Sequence, residues 1–175
     1  MRVAPLGAFF ADDIDRCIEQ ARRSAEITHM HEEGIAGAIA VAVGAALASR
    51  RAGAQQQLPN GRDWLEKVRD LTPDGSVRRG IDVALSLPAS TPTFEAASIL
   101  GNGAAITASD TVPFCLWIAT WHSHDFQEAM WQTVSALGDR DTTCAIVGGI
   151  VALQVGENGI PKSWRASRER LPIRL

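Results

Sequence analysis

Apolar side chains recur along this chain at intervals of three and four, the spacing of an α-helix, and hardly anywhere alternate as those of a strand would. Ile14, Cys17, Ile18, Ala21 and Ala25 form one stripe, and Asp15, Arg16, Glu19, Arg22, Arg23 and Glu26 lie opposite it. This pattern predicts a surface helix in which Glu19 and Arg23 are spaced for an ion pair, with Asp12-Asp13 ahead of it as a cap. After a break around His29-Met30-His31, Glu32 and Glu33 mark the next helix start, where acids meet the positive end of the helix dipole. From Ile35 to Leu47 that helix is apolar on all sides, which makes it central.

Further along, a polar stretch from Gly53 to Gly61 predicts a loop, followed by two shorter helical patterns, Trp64-Leu65-Val68-Leu71 and Val77-Ile81-Ala84-Leu85. Two prolines make Leu87 to Thr93 a loop. Phe94 to Leu100 then reads as a short helix stopped at Gly101-Asn102-Gly103. Thr111 is the expected cap of another helix, with Pro113 tolerated in its first turn. Phe126, Ala129, Met130, Thr133, Val134 and Leu137 make the cleanest amphipathic stripe, ending at Gly138, and Thr142 to Val155 is again apolar nearly all round. Trp117, Trp121 and Trp131 fall at helical spacings expected of core packing. The predicted architecture is a single all-α domain over residues 1–175, in which two buried apolar helices are wrapped by amphipathic ones.

Composition fits that picture, because 175 residues of which 46% are hydrophobic can bury one sizeable core. Seventeen basic against twenty acidic residues leave a net charge of −3 with no Lys/Arg cluster, so a nucleic-acid surface is not expected. Cys17, Cys115 and Cys144 are odd in number and far apart among apolar neighbours, which suits reduced thiols in a cytoplasmic protein. Val3 to Phe10 is interrupted by Pro5 and runs into Asp12-Asp13, unlike a secretory signal. The uncharged stretch Gly34 to Ser49 is shorter than the about 20 residues a bilayer span needs and rich in Ala and Gly, so no membrane partner is expected. No repeat of fixed period is visible, and Gln55-Gln56-Gln57 is too short to count as low complexity.

The chemistry concentrates in Gly138-Asp139-Arg140-Asp141-Thr142. Two carboxylates and a hydroxyl this close in a turn can converge on one hard cation such as magnesium or calcium. By spacing alone, an Asp ahead of an apolar helix is more often an N-cap. The helix that follows is too apolar for the surface, which puts the turn at the mouth of the core, where unpaired carboxylates are costly unless hydrogen-bonded or bound to an ion.

That turn, followed by Ala145-Ile146-Val147-Gly148-Gly149 and then Ile160-Pro161-Lys162-Ser163-Trp164, resembles the C-terminal part of the ADP-ribosylglycohydrolases. Thr28-His29 ahead of the Ala/Gly-rich helix, Leu100-Gly101-Asn102-Gly103 before Thr111-Val112-Pro113, and the opening Met1-Arg2-Val3-Ala4-Pro5-Leu6-Gly7 agree with it in order. The resemblance implies a compact multi-helix orthogonal bundle, N-terminally truncated. It implies an enzyme that uses Mg2+, two ions when complete, to cleave the bond at the anomeric carbon of ADP-ribose or of an ADP-ribosylated substrate. It makes Asp139, Asp141 and Thr142 metal ligands and places His29, Gly101, Asn102 and Gly103 at the substrate, and it assigns no catalytic residue in this chain. His29 is otherwise a histidine bridging helices, and Arg140, where many members have Thr, is expected to point outward. The family's Thr-Asp-Asp-Thr segment has no counterpart here. Three readings follow: a hydrolase completed by a segment upstream or by a partner chain, a silent truncated fragment that keeps the scaffold and weak metal or ADP-ribose binding, and an unrelated helical interaction domain. A homodimer is one way for such a chain to cover exposed core helices.

Overall fold

Why α3 sits at the centre follows from its composition. The helix, Glu32–Gly53, carries Ile39, Ala40, Val41, Ala42, Val43, Ala45 and Ala46, each at most 1% exposed, so neighbours approach it from every side. The computed structural model describes residues 1–53 and 61–169, with the side chains of 51–53 left undescribed. Among these residues the chain forms ten helices and no strand. The loop predicted over Gly53 to Gly61 and the three glutamines lie, apart from its ends, outside the described residues.

Against α3 pack α1 (Ala4–Phe9), α2 (Ile14–Glu26), α4 (Gly61–Leu71), α5 (Ser76–Ser86), α7 (Ala108–Trp121) and α9 (Arg140–Gly159). α6 (Thr93–Leu100), α8 (Phe126–Ser135) and α10 (Lys162–Ser167) complete the shell. α1, which the sequence pattern did not mark, begins with Pro5 in its first turn, where the missing N–H goes unneeded. It crosses α3 at the backbone: a Cβ on Gly7 would lie 2.1 Å from the Ala42 carbonyl oxygen. Ile39, Ile81, Ile118 and Ile150 are fully buried, each worth about 2 kcal/mol of transfer free energy. Glu32–Arg50 is long and apolar enough by length and composition to cross a bilayer, and 67% of its apolar window is buried inside the fold.

The expected surface helix is α2, capped by Asp13 through the Arg16 N–H, with the Glu19–Arg23 ion pair at 2.5 Å on its exposed face. Glu33 has a second task beyond its own helix dipole. Its carboxylate accepts the backbone N–H groups of Ser76 (2.6 Å) and Val77 (2.8 Å), capping α5 from across the fold.

Three expectations are corrected. α7 starts a turn earlier than Thr111 suggests, because Thr107 has the extended backbone of a cap (φ −122°, ψ 153°) and accepts the Asp110 N–H. Thr111 is buried and donates back to the Thr107 carbonyl at 2.8 Å, and Pro113 lies inside the helix rather than in its first turn. Trp131 is 55% exposed, lying edge-on to Trp164 at 6.0 Å, because the buried positions of α8 are Ala129 and Thr133, on another face of the helix. Leu137 is likewise exposed, as it has left the helix for a left-handed turn at φ 60°.

Candidate functional site

The turn between α8 and α9 is built from two consecutive positive-φ residues, Leu137 (60°) and Gly138 (64°), which reverse the chain within a few residues. The second must be glycine: a Cβ there would lie 2.3 Å from the Asn102 carbonyl oxygen. That oxygen accepts the Asp139 N–H at 3.0 Å, and the Asn102 side-chain amide donates to the Ala136 carbonyl at 2.9 Å. The loop after α6 and the turn before α9 are therefore clamped together.

The loop has its own scaffolding. Gly101 (φ 92°) ends α6, the Gly103 N–H donates to the Asp110 carbonyl at 3.0 Å, and the Asp110 carboxylate accepts the Ala105 N–H at 2.8 Å. Asp110 was not among the sequence candidates, although Thr107-Ala108-Ser109-Asp110 has the form of a capping box and signals the true start of α7. Ile106, exposed and left-handed at φ 57°, is the strained member of the loop, since a β-branched side chain rarely adopts this conformation.

Asp139 is the N-cap of α9, its Oδ1 accepting the Thr142 N–H at 3.4 Å, while its carbonyl accepts the Thr143 hydroxyl at 2.9 Å. The capping alternative is thus realised, and it leaves the carboxylate available for more. A hydrogen bond with the Asp141 carboxyl, then one from the Thr142 side chain, hold the Asp139 carboxyl below the ordinary carboxylate range, against the upward push of burial. Asp141 follows Asp139 by two residues in the first turn of α9, and a divalent cation is one way to relieve two neighbouring carboxylates. Hard oxygen donors from Asp139, Asp141 and Thr142 suit magnesium, which is commonly held by one or two carboxylates with water completing its shell. Among the described residues no cluster of three His, Cys, Asp or Glu side chains exists, so the set is two acids and a hydroxyl.

Beside this turn lies a cavity of about 330 Å³. Asp139, Thr142 and Ile146 form one wall, and Arg2, Thr28 and His29 contribute from the side of α1 and the α2–α3 turn. His29 is steadied by a contact of its Nδ1 with the Thr28 hydroxyl at 2.8 Å, and its ring packs over Gly34, where a Cβ would come within 3.0 Å of it. Residues 110 positions apart in sequence, His29 and Asp139, thus border one cavity.

The other sequence candidates sit around it. Asp141 is exposed outside the cavity lining, and Arg140 is exposed as well. Gly101, Asn102 and Gly103 do not line it; they stand behind the acidic turn, with Gly103 placed so that a Cβ would approach that of Asp139 to 2.7 Å. Arg2, part of the opening segment that carries the resemblance but not singled out there as a site residue, also lines the cavity.

A family model described as ADP-ribosylglycohydrolase matches residues 1–174. An uncharacterized protein of Archaeoglobus fulgidus is 29% identical over 166 residues, covering 94% of this chain and 50% of that protein. The chain therefore spans about half the length of the curated relative it matches. No solved structure matches it.

Proposed function

We propose, on the premise that this chain belongs to the ADP-ribosylglycohydrolase family, that it forms the metal-binding and substrate-binding half of a magnesium-dependent ADP-ribosyl hydrolase. The observation that carries this reading is the convergence of Asp139, Thr142 and His29 on one cavity, with Asp141 beside Asp139 in the first turn of α9.

In the reaction, water adds at the anomeric carbon of the ribose as the bond to the leaving group breaks, and the leaving group departs with a proton. Asp139 and Asp141, with the Thr142 hydroxyl, would hold magnesium, which when bound orients the ribose and a water and withdraws charge from their oxygens. The N-terminus of α9 presents Asp139 to the cavity in a fixed place, since its backbone is tied to Asn102 and its carbonyl to Thr143. His29 borders the side of the cavity facing this wall, within reach of the sugar or its substituent. The cavity volume is at the small end of the range for small-molecule sites, so it suits the ribosyl end of the ligand, with the remainder extending over the rim. The free thiols suit a cytoplasmic setting.

A second reading is a scaffold that binds ADP-ribose without cleaving it. It is favoured by the ligand set, which among the described residues is two acids and a hydroxyl rather than the larger donor set that two metals require. Isothermal titration of the chain with ADP-ribose, with and without magnesium, followed by an assay of ADP-ribose release, separates the two. Magnesium-dependent binding with turnover supports the hydrolase, and binding without turnover supports the scaffold. Asp139→Asn and Asp141→Asn are expected to abolish magnesium-dependent stabilisation and leave helix content intact, since Asn caps about as well as Asp. Loss of helix in the absence of metal in both variants would reduce the acids to caps.

A further inference from the structure

Asp110 ties the loop after α6 to α7 from one side, and the same loop holds Asp139 from the other. We infer that Asp110 is a positioning residue for the metal site, keeping the Asp139 carboxylate in place through the main chain of that loop. The inference rests on the hydrolase reading for the metal alone.

Burial does little to fix the loop, since Ala104, Ala105 and Ile106 are all exposed. Hydrogen bonds must do it. Of the four N–H groups from Gly103 to Ile106, two bond within the loop, Ala104 to Asn102 Oδ1 at 3.2 Å and Ile106 to the Gly103 carbonyl at 2.9 Å. The other two reach Asp110: Gly103 donates to its carbonyl at 3.0 Å and Ala105 to its carboxylate Oδ2 at 2.8 Å. Asp110 is itself well anchored. Its N–H donates to the Thr107 hydroxyl at 3.3 Å, and the helix it belongs to is buried from Thr111 to Thr120.

Transmission to Asp139 runs through one peptide group, because the Asn102 carbonyl that accepts the Asp139 N–H at 3.0 Å and the Gly103 N–H that donates to Asp110 belong to the same rigid plane. Tilting one end of that plane tilts the other. What would tilt it is Ile106, whose left-handed φ of 57° is unfavourable for a β-branched residue and would relax if the loop were free to turn. The Asp110 side chain stands in the way. It grips Ala105 on one side of Ile106, while Thr107 on the other side is held as the cap that accepts the Asp110 N–H. A bond from an N–H to a carboxylate is roughly twice as strong as one to a neutral oxygen, which suits an acid to the task.

The test reads amide hydrogen exchange at Asp139 by NMR in the whole chain without metal, then titrates the same proteins with magnesium chloride by calorimetry. In the wild type the Asp139 N–H should be protected. Asp110→Ala should speed its exchange and weaken magnesium each by about tenfold, and should do less in an Ile106→Asn background, where the strain is gone. Asp110→Asn, which drops the charge and keeps an oxygen to accept the Ala105 N–H, should stay within about threefold of wild type in both readouts. Glu33→Ala, the loss of a cap on another helix, should leave Asp139 exchange unchanged. Asp139 exchange unaltered by Asp110→Ala, or accelerated equally by Glu33→Ala, overturns the positioning role. So does magnesium affinity that falls equally in Asp110→Asn and Asp110→Ala, because the charge alone would then be responsible. A wild type that binds no magnesium, yet shows Asp110-dependent exchange at Asp139, upholds the coupling and overturns the hydrolase reading instead.

Discussion

Replacing Gly138 with Ala asks whether the clamp between loop and turn is what keeps the acidic site in place. Gly138 has φ of 64°, a left-handed conformation that costs an L residue roughly 1–2 kcal/mol. The added methyl carbon would also sit 2.3 Å from the Asn102 carbonyl oxygen, a main-chain atom that cannot rotate away. Relief requires the loop over residues 101–103 to retreat, losing the bond from the Asp139 N–H (3.0 Å) and the bond from the Asn102 amide to Ala136 (2.9 Å). At about 1 kcal/mol for each bond, the whole effect is about 3–4 kcal/mol. For a chain of this length that lowers Tm by roughly 6–16 °C, readable by calorimetry or urea denaturation. Because the retreat frees Asp139, stabilisation by magnesium should fall with it. Gly156→Ala is the control: its φ of 68° is equally unfavourable to Ala, but nothing lies within 4 Å, so stability should drop without loss of the magnesium effect. A Gly138→Ala protein that melts within about 3 °C of wild type and keeps its magnesium response would refute the clamp.

Other predictions are simpler. Glu33→Ala should cost about 0.5–2 kcal/mol in denaturant titrations by uncapping α5, and an unchanged midpoint would remove the cap from the account. Although burial pushes the Glu33 carboxyl up, the Ser76 and Val77 N–H groups and nearby Arg79 outweigh it and hold it below the ordinary Glu range. Its stabilising effect is therefore complete above pH about 4.3 and is lost as pH falls through the lower folded value, so Glu33→Gln should flatten that acid limb of the stability curve. Ile106→Asn should hold or raise stability by about 0.5–1 kcal/mol, because Asn tolerates the left-handed backbone that strains Ile; a clear loss on thermal melting would mean that Ile106 makes a compensating contact. Burial keeps Cys17 and Cys115 protonated and shielded, so in the folded protein at neutral pH iodoacetamide should label neither until the chain is unfolded; rapid labelling of both by mass spectrometry would contradict the buried packing.

Helical periodicity made most of the fold legible, since stripes such as Ile14-Cys17-Ile18-Ala21-Ala25 and the all-round apolar run of α3 leave few alternatives for burial. Where it misled, the cause was local chemistry competing with pattern. Thr111 and Thr107 are both reasonable caps by residue type, and only the Thr107-to-Asp110 spacing separates them. Trp131 fits a core stripe by period, yet the burial on α8 falls to small residues, so the large ring faces out to meet Trp164. In the site, the acidic turn was visible because its donors are contiguous. The cavity was not, because Arg2, His29 and Asp139 come from three distant segments and become neighbours only through the packing of α1, α3 and α9. Nor could sequence show that Gly101-Asn102-Gly103 supports the turn from behind instead of lining the cavity.

The bond from the Asp139 N–H to the Asn102 carbonyl joins main chain to main chain, and the glycine beside it is required for space. Neither depends on which side chain occupies position 139. The position of the rim and the chemistry displayed on it can therefore change separately over evolutionary time. A descendant that exchanged an acid for an amide would keep the turn and the cavity while changing the donors displayed there. Within such a family, loss of a side-chain function at the rim need not be preceded by loss of fold.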